Sequence, residues 1–328
     1  MTVAVYADAD DDLIPARESG IEGVACIDDA ARLLSVLCAV WSRTGDDTVE
    51  RWARGLTEFV LWMQEPDGRW VNFVHDWSGT KNLSGLTSSV GENFWHARAL
   101  HGIASAWKSF GDPRALEAFR RGFEHACAKP APPDVRSLHV LAGMKMASDL
   151  NDDRTWDSIR GWAGELVGSK IDGVLMNNPD ERGAPHLWAH IQEGVLADLA
   201  APLNDPHLLE VARASAQRLL VPCVQDAFPA PRTTPYDVAS VAWSLERLAA
   251  VEGEPWAGLA ADARAWFDGR NAAGLPVYDR VRGRVADGID DGRISDNSGA
   301  EANLAAAEIL RDDAAVAATS GQLVLRLP

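Results

Sequence analysis

The sequence predicts an all-α fold, an (α/α)6 toroid of six helical hairpins with the last hairpin truncated. Three observations predict it. Helix period runs through almost the whole chain, and convincing strand alternation is almost absent. Breakers such as "GDP", "PAPP", "NDP" and "EGEP" cut the helical segments into pairs. Within each pair the first helix is Ala-rich or apolar on every side, as in "ASVAWSLERLAAV", whereas the second carries more charge, as in "DDTVERWARGLTEFVLWM". A helix apolar all round is buried and an amphipathic one covers it. The odd helices should therefore form an inner ring and the even ones an outer ring, in a single domain over 1–328 with an N-terminal tail over 1–20. An α-solenoid is the alternative for repeated hairpins. The uneven loop lengths favour the closed ring.

Taken in order, the predicted pairs are 22–43 with 46–64, 91–110 with 112–128, 133–149 with 153–167, 186–202 with 205–220 and 235–251 with 255–269. A helix over 298–311 with a short partner over 312–319 makes the sixth. "DDAARLL" and "FWHARAL" align on Ala31-Arg32 and Ala97-Arg98. Links within a pair are short. Three links between pairs are long, about 65–90, 168–185 and 270–297, and long loops in a compact domain are usually functional. All three should emerge where the inner helices begin. The tail "SGQLVLRLP" alternates like a strand with no evident partner.

Composition narrows the function. A formal net charge of −17 argues against nucleic acid and anionic membrane surfaces as partners. No apolar run reaches the roughly 18 residues that a spanning helix needs. The start is acidic and lacks the basic opening of a secretory signal, so a cytoplasmic location is expected. The four cysteines, Cys26, Cys38, Cys127 and Cys223, form no CxxC pair and read as reduced structural thiols rather than metal ligands.

Polar residues gather at the predicted starts of the inner helices. The first offers Asp28, Asp29 and Arg32; the second, "GENFWHAR", offers Glu92, Asn93, Trp95, His96 and Arg98. The third offers Arg136 and His139, and the fourth, "HLWAHIQEG", offers His186, Trp188, His190 and Glu193. The fifth gives Tyr236 and Asp237, and the sixth Asp296, Asn297 and Glu301. Buried acids cost several kcal/mol unless paired, so such a set implies a cavity rather than a dry core. Singly, each has a bland reading: Asp28 and Asp29 stand at helix spacing from Arg32 and near a helix N-terminus, where negative charge is favoured. Of thirteen tryptophans, those at 41, 52, 62, 107, 156, 162, 243 and 266 suit packing between the rings. Trp77, Trp95 and Trp188 lie at the polar end and are the candidates for sugar stacking.

Other motifs are weak. "DADDD" at 8–12 is similar to the acidic signature of class II terpene cyclases, but a solvated acidic run explains it. His186 and His190 would be four apart on a helix, without an HExxH, so no metal is expected. There is no GxGxxG after a strand, no P-loop and no GxSxG, and no cofactor is expected.

The chain resembles the six-hairpin glycosidase superfamily. It looks closest to bacterial helical domains, associated with glycosyltransferases, that read "Y-C-x-D-D-N-A-R-A-L", then "D-G-R-F-x-N-F", then "E-D-S-x-G-R-A-L". The counterparts are "ACIDDAARLL" (25–34), "DGRWVNF" (67–73) and "GENFWHARAL" (91–100). Ala30 replaces the motif's Asn, and its acid pair is reduced to Glu92 and Asn93. The resemblance implies Asp28, Asp29, Asn72, Glu92 and Arg98 as site residues. It also implies an oligosaccharide or glycoside substrate and a glycosyltransferase as a partner.

The leading expectation is a glycoside hydrolase working through two carboxyl groups, one protonated and one ionised, in a funnel. Asp29 and Glu92 are the principal pair, with Asp28 beside them and Glu193, Asp237 and Glu301 in reserve. Burial should raise the pKa of the acid, and Arg32 or Arg98 should keep its partner ionised. Asn72, Asp76, Trp77, Trp95, His96, Arg98, His139, Trp188, His190 and Tyr236 would hold sugar hydroxyls and faces. Two alternatives stand beside this. One is a sugar epimerase or isomerase using His96, His139 or His190 as bases. The other is a non-catalytic module binding glycan or a glycosyltransferase.

Overall fold

The computed structural model of the chain describes residues 1–7, 22–91, 93–150, 153–178, 180 and 183–310. Two compact units are formed. The first comprises the chain up to Pro130 together with the segment from Gly299, and the second spans Ala131–Ser298. Among the described residues no helix is long and apolar enough to cross a membrane.

In the first unit α1 (Ile27–Thr44) and α2 (Asp47–Met63) form one hairpin, and α3 (Phe94–Phe110) and α4 (Pro113–Ala128) another. The two connectors use one chemistry. Gly45 and Gly111 end their helices at φ 63° and 64°, each returning its N–H to a tryptophan carbonyl four residues back, Trp41 and Trp107. Only glycine takes this left-handed cap without a Cβ penalty. The next Asp begins the following helix: Asp46 accepts from the N–H groups of Thr48 and Val49, and Asp112 from that of Arg114. Pro113 then occupies the first turn, where its missing N–H costs nothing.

The burial pattern follows the predicted division of labour. Of α1 only Ser42 and Arg43 are exposed, and of α3 only Lys108, whereas α2 and α4 each keep a solvent face. α1 lies against α3 at Gly102, where a Cβ would come within 2.8 Å of the Ala31 carbonyl oxygen. α1 also packs on α12 (Ala300–Ile309), which follows Gly299.

The second unit contains α5 (Pro133–Leu150), α6 (Asp153–Gly168), α7 (Gln192–Ala200), α8 (Pro206–Arg218), α9 (Leu220–Gln225), α10 (Pro235–Glu252) and α11 (Trp256–Arg264), the last running into a 3₁₀ turn at Ala265–Asp268. α7 is its centre. Every residue of it but Asp198 is buried, and it packs on α5, α8 and α10. Gly194 of α7 meets Trp243 and Ser244 of α10, where an added Cβ would approach the indole to 2.5 Å.

Several predicted boundaries move. The first helix begins at Ile27 rather than 22, because Ala25–Cys26 pairs antiparallel with Phe73–Val74. The fourth inner helix begins at Gln192 rather than 186. Ala189 takes φ 56°, outside helical space, so "HLWAH" is a loop and His186 and His190 do not share a helix face. The helix predicted over 205–220 is split at Leu219 into α8 and α9. The loop 270–297 carries short strands missed in the sequence. Ile289–Asp290 pairs with Arg293–Ile294 around Asp291-Gly292 at φ 45° and 75°, the left-handed pair that a tight hairpin requires. The 312–319 helix, the "SGQLVLRLP" tail, "DADDD" and Glu92 lie outside the described residues.

Because Gly102 faces the Ala31 backbone, Gly102→Val should destabilise the first unit by about 2–3 kcal/mol, read as a lower midpoint in urea. Lys108→Ala on the same helix, exposed, should leave the midpoint within about 0.5 kcal/mol.

Candidate functional site

The acidic opening of α1 is held by the loop before α3. Ile27 N–H donates to the Asn72 carbonyl at 2.8 Å, and Asp28 N–H to Asn72 Oδ1 at 3.2 Å. Asn72 Nδ2 in turn donates to the Thr87 carbonyl at 2.9 Å. Two of the donors that a helix start leaves unpaired are thereby satisfied. Asn72 is buried and committed to this joint, so it positions the acids rather than meeting a ligand. Cys26 caps the helix: its thiol donates to Asp29 Oδ2 at 3.1 Å and accepts from Asp29 N–H at 3.4 Å.

On this scaffold the charges divide between two arginines. Asp28 Oδ2 forms an ion pair with Arg98 of α3, and its buried Oδ1 has no hydrogen-bond partner among the described residues. Arg32, also buried, donates from Nε and Nη2 to both carboxylate oxygens of Glu308 on α12, at 3.1 and 3.0 Å. Its Nη1 lies 3.6 Å from Glu301 on the first turn of α12. Arg32 therefore pairs across the chain and not with Asp28 or Asp29 at helix spacing.

Among the described residues Asp29 forms no ion pair, and it is only 4% exposed. Burial, and then the Asp28 carboxylate beside it, push its pKa up to about 7, against the pull of the Cys26 thiol and Arg32. Glu301 is raised in the same direction by desolvation, although 44% of its side chain remains open to solvent. The first unit thus combines a carboxyl group that holds its proton near neutrality with a more exposed carboxylate, both beside Arg32. That is equipment for proton transfer.

The remaining candidates of this unit lie elsewhere. His96 is fully buried, with Nε2 3.1 Å from the Gly122 carbonyl and its ring against Trp70 and His125. Burial lowers its pKa to about 4. It stands two residues from Phe94 and Arg98, roughly 200° around a helix of 3.6 residues per turn, and so belongs to the core and not to a sugar contact. Trp95 is half-buried and donates to the Trp70 carbonyl at 3.2 Å. Asp76 is exposed and closes a turn by accepting from Ser78 and Thr80, which lowers its pKa to about 2. Trp77, on that turn, is 56% exposed.

In the second unit His190 and Glu193 are fully buried and joined at 3.0 Å. The other nitrogen of His190 meets Asn177 Oδ1 at 2.6 Å, and Ser215 donates to Glu193 Oε1 at 2.6 Å. Glu193 Oε2 and Gln192 Oε1 are buried without a hydrogen-bond partner among the described residues. His139, also fully buried, contacts Arg136 at 3.3 Å and the Trp162 ring. His186 stacks on Trp188 with centroids 4.0 Å apart, its Nε2 3.7 Å from Asp134. Tyr236 is half-buried on the first turn of α10. Asp237 is taken by a capping box: its Oδ2 accepts from Thr234 N–H at 2.9 Å and from the Thr234 hydroxyl at 2.5 Å. Its role is to start α10.

Sequence reasoning missed Cys26, Glu308, Asn177, Gln192 and Ser215. Cys26 and Asp29 do stand at capping-box spacing, a usable signal. Glu308 is 276 residues from Arg32, and no local pattern marks it.

No protein-family model and no curated protein sequence matches the chain. Solved structures do. A sugar epimerase from a ruminal bacterium superposes with a TM-score of 0.73 over 98% of this chain and 92% of its own, at 13% identity. The cellobiose 2-epimerase of Spirochaeta thermophila gives 0.71 over 96% and 90%, at 12% identity. A GH76 α-mannanase from Bacteroides thetaiotaomicron gives 0.60 over 91% and 88%, at 13% identity. At these identities the likeness establishes the fold, which is the all-α (α/α)6 toroid class expected from the helical hairpins.

Proposed function

We propose that the chain is a carbohydrate-active enzyme, and specifically a glycoside hydrolase acting through Asp29 of α1 and Glu301 of α12. The observation that carries this is Asp29, a buried carboxyl group whose pKa is raised to about 7 within hydrogen-bonding architecture that fixes its orientation. Glycosidic cleavage needs one carboxyl group to protonate the leaving oxygen and a second, ionised, to activate water or attack the anomeric carbon. Near pH 6 Asp29 holds the proton. Glu301, with 44% of its side chain open to solvent and the charges of Arg32 and Arg98 pulling its pKa down against its desolvation, serves as the ionised partner. Asp28 and Glu308 push Glu301 towards its protonated form, and Arg32 and Arg98, the cations paired with them, pull it back. Glu92 lies outside the described residues and stays a candidate for the same role.

A second reading is favoured by a different observation. The buried His190–Glu193 pair is oriented by Asn177, as a histidine base held by a carboxylate would be. The two superpositions quoted above with the higher TM-scores are with sugar epimerases. An epimerase would convert cellobiose or a free monosaccharide without releasing a reducing end.

Product analysis on aryl glycosides, β-glucans, α-mannans and cellobiose separates these. Cleavage that falls about 10²–10⁴-fold in both Asp29→Asn and Glu301→Gln supports the hydrolase. A C2 epimer of unchanged mass, lost in His190→Asn and retained in Asp29→Asn, replaces it with the epimerase. Glycan binding without turnover assigns a non-catalytic module.

Two pH effects follow from the raised Asp29. Hydrolysis should decline above about pH 7, as Asp29 loses its proton, in a profile of kcat/KM against pH. Asp29 also binds its proton more tightly folded than unfolded, where its pKa is 3.8. Its stabilising contribution is complete below pH 4 and is lost as pH rises through 7, by about 4 kcal/mol at most. Asp29→Asn should therefore melt higher than wild type at pH 8 and near it at pH 4.

A further inference from the structure

Trp62 departs from its expected packing role. On α2 it is 45% exposed and lines a groove of about 600 Å³ between α2 and α4, with Glu58, Pro113, Arg114, Glu117 and Arg121 around it. The indole is supported from behind. Phe59 lies 6.1 Å away, and Lys81, paired with Glu65 at 2.8 Å, stands 5.1 Å from the ring. Gly79, at φ 92°, meets the ring edge where a Cβ would sit 3.2 Å from Cη2, so any larger residue would crowd the indole. Gly79 ends the turn that begins at Asp76, whose carboxylate fixes it through Ser78 and Thr80. The exposed Trp77 is carried by this turn, two residues from the contact with Trp62, within about 7.6 Å of chain.

We propose that Trp62, Trp77 and the α2–α4 groove form a second, non-catalytic surface that binds a neutral polysaccharide chain. This rests on the carbohydrate reading above. Exposed indoles offer the apolar, polarisable faces on which the C–H face of a pyranose stacks. Glu58 and Glu117 match Arg114 and Arg121, and Asp112 adds a further negative charge against Arg114, so the groove has no net positive field to draw an anion. It has instead adjacent acceptors and donors suited to vicinal hydroxyls. The surface is preorganised: Arg114 is held by Glu58 at 3.0 Å and by Asp112, and Arg121 donates to Gln64 at 2.7 Å. A binding surface fixed in advance loses less entropy when a flexible chain lands on it.

Affinity electrophoresis in gels cast with hydroxyethylcellulose or with soluble α-mannan tests this. Wild type should be retarded by at least one polymer. Trp62→Ala and Trp77→Ala should each weaken retardation about tenfold, the size of an aromatic contact, with Trp62→Phe intermediate. Asp29→Asn should be retarded like wild type, and Trp62→Ala should turn over small aryl glycosides at the wild-type rate. Circular dichroism melts establish that the variants are folded. Unchanged retardation in both tryptophan variants overturns the surface. Loss of retardation in Asp29→Asn alone also overturns it, moving binding to the carboxyl cluster and leaving the carbohydrate reading intact. Absence of retardation in both gels overturns it too, while turnover of aryl glycosides by the same preparation would keep the enzyme. A dimer in sedimentation that Trp62→Ala dissolves would reassign the surface to self-association.

Discussion

Burying Arg32 is the constraint on which the rest of the first unit depends. A guanidinium taken out of water costs several kcal/mol, and only a well-placed anion returns that energy. No residue on its own helix does so. The anion is Glu308, whose carboxylate it holds at both oxygens, so α12 must lie along α1. That placement brings Glu301, seven residues earlier on the same helix, beside Arg32 as well. With Arg32 committed to α12, Asp29 has no ion-pair partner among the described residues and keeps its proton, while Asp28 turns to Arg98. One buried cation thus sorts four carboxyl groups into distinct electrostatic situations.

The hairpins rely on a repeated local rule. A left-handed residue stops one helix, an Asp side chain starts the next, and where a Pro follows it fits the first turn. Gly45-Asp46 and Gly111-Asp112-Pro113 follow it, and Asn204-Asp205-Pro206 repeats it with Asn at φ 50° in place of glycine. Short connectors of this kind fix where each covering helix begins. They leave the starts of the covered helices to long loops, and the proposed carboxyl cluster accordingly sits where a loop meets a helix, beside Asn72 and Cys26.

Most helices were legible because their period and breakers are local properties. The α2 and α4 boundaries fall within about a residue of prediction for that reason. The 186–191 segment was not legible, since "HLWAHIQEG" keeps helical spacing and only the left-handed Ala189 reveals the break. The "DDG" hairpin at 290–292 did carry a signal, masked by the shortness of its strands. Of the proposed site, Asp28, Asp29, Arg98 and Glu301 were legible as polar residues opening apolar helices. The same rule wrongly gathered His96, which points to the opposite side of α3, and Asp237, which serves its own helix. Partner identity was the real gap: Arg32 with Glu308, and Asn177 with His190, are tertiary facts that no spacing encodes.

The separation between Arg32 and Glu308 also orders events during synthesis. Chains emerge from the ribosome N-terminus first, and domains begin folding as they appear. For 276 residues of further elongation Arg32 has no Glu308 to bind, and the groove along α1 that α12 will fill stays open to water. The nascent first unit is therefore an unfinished core with a hydrated guanidinium at its heart. Completion waits on α12, so a polypeptide released before that helix is made would hold α1 to α4 without the anion that lets Arg32 become dry.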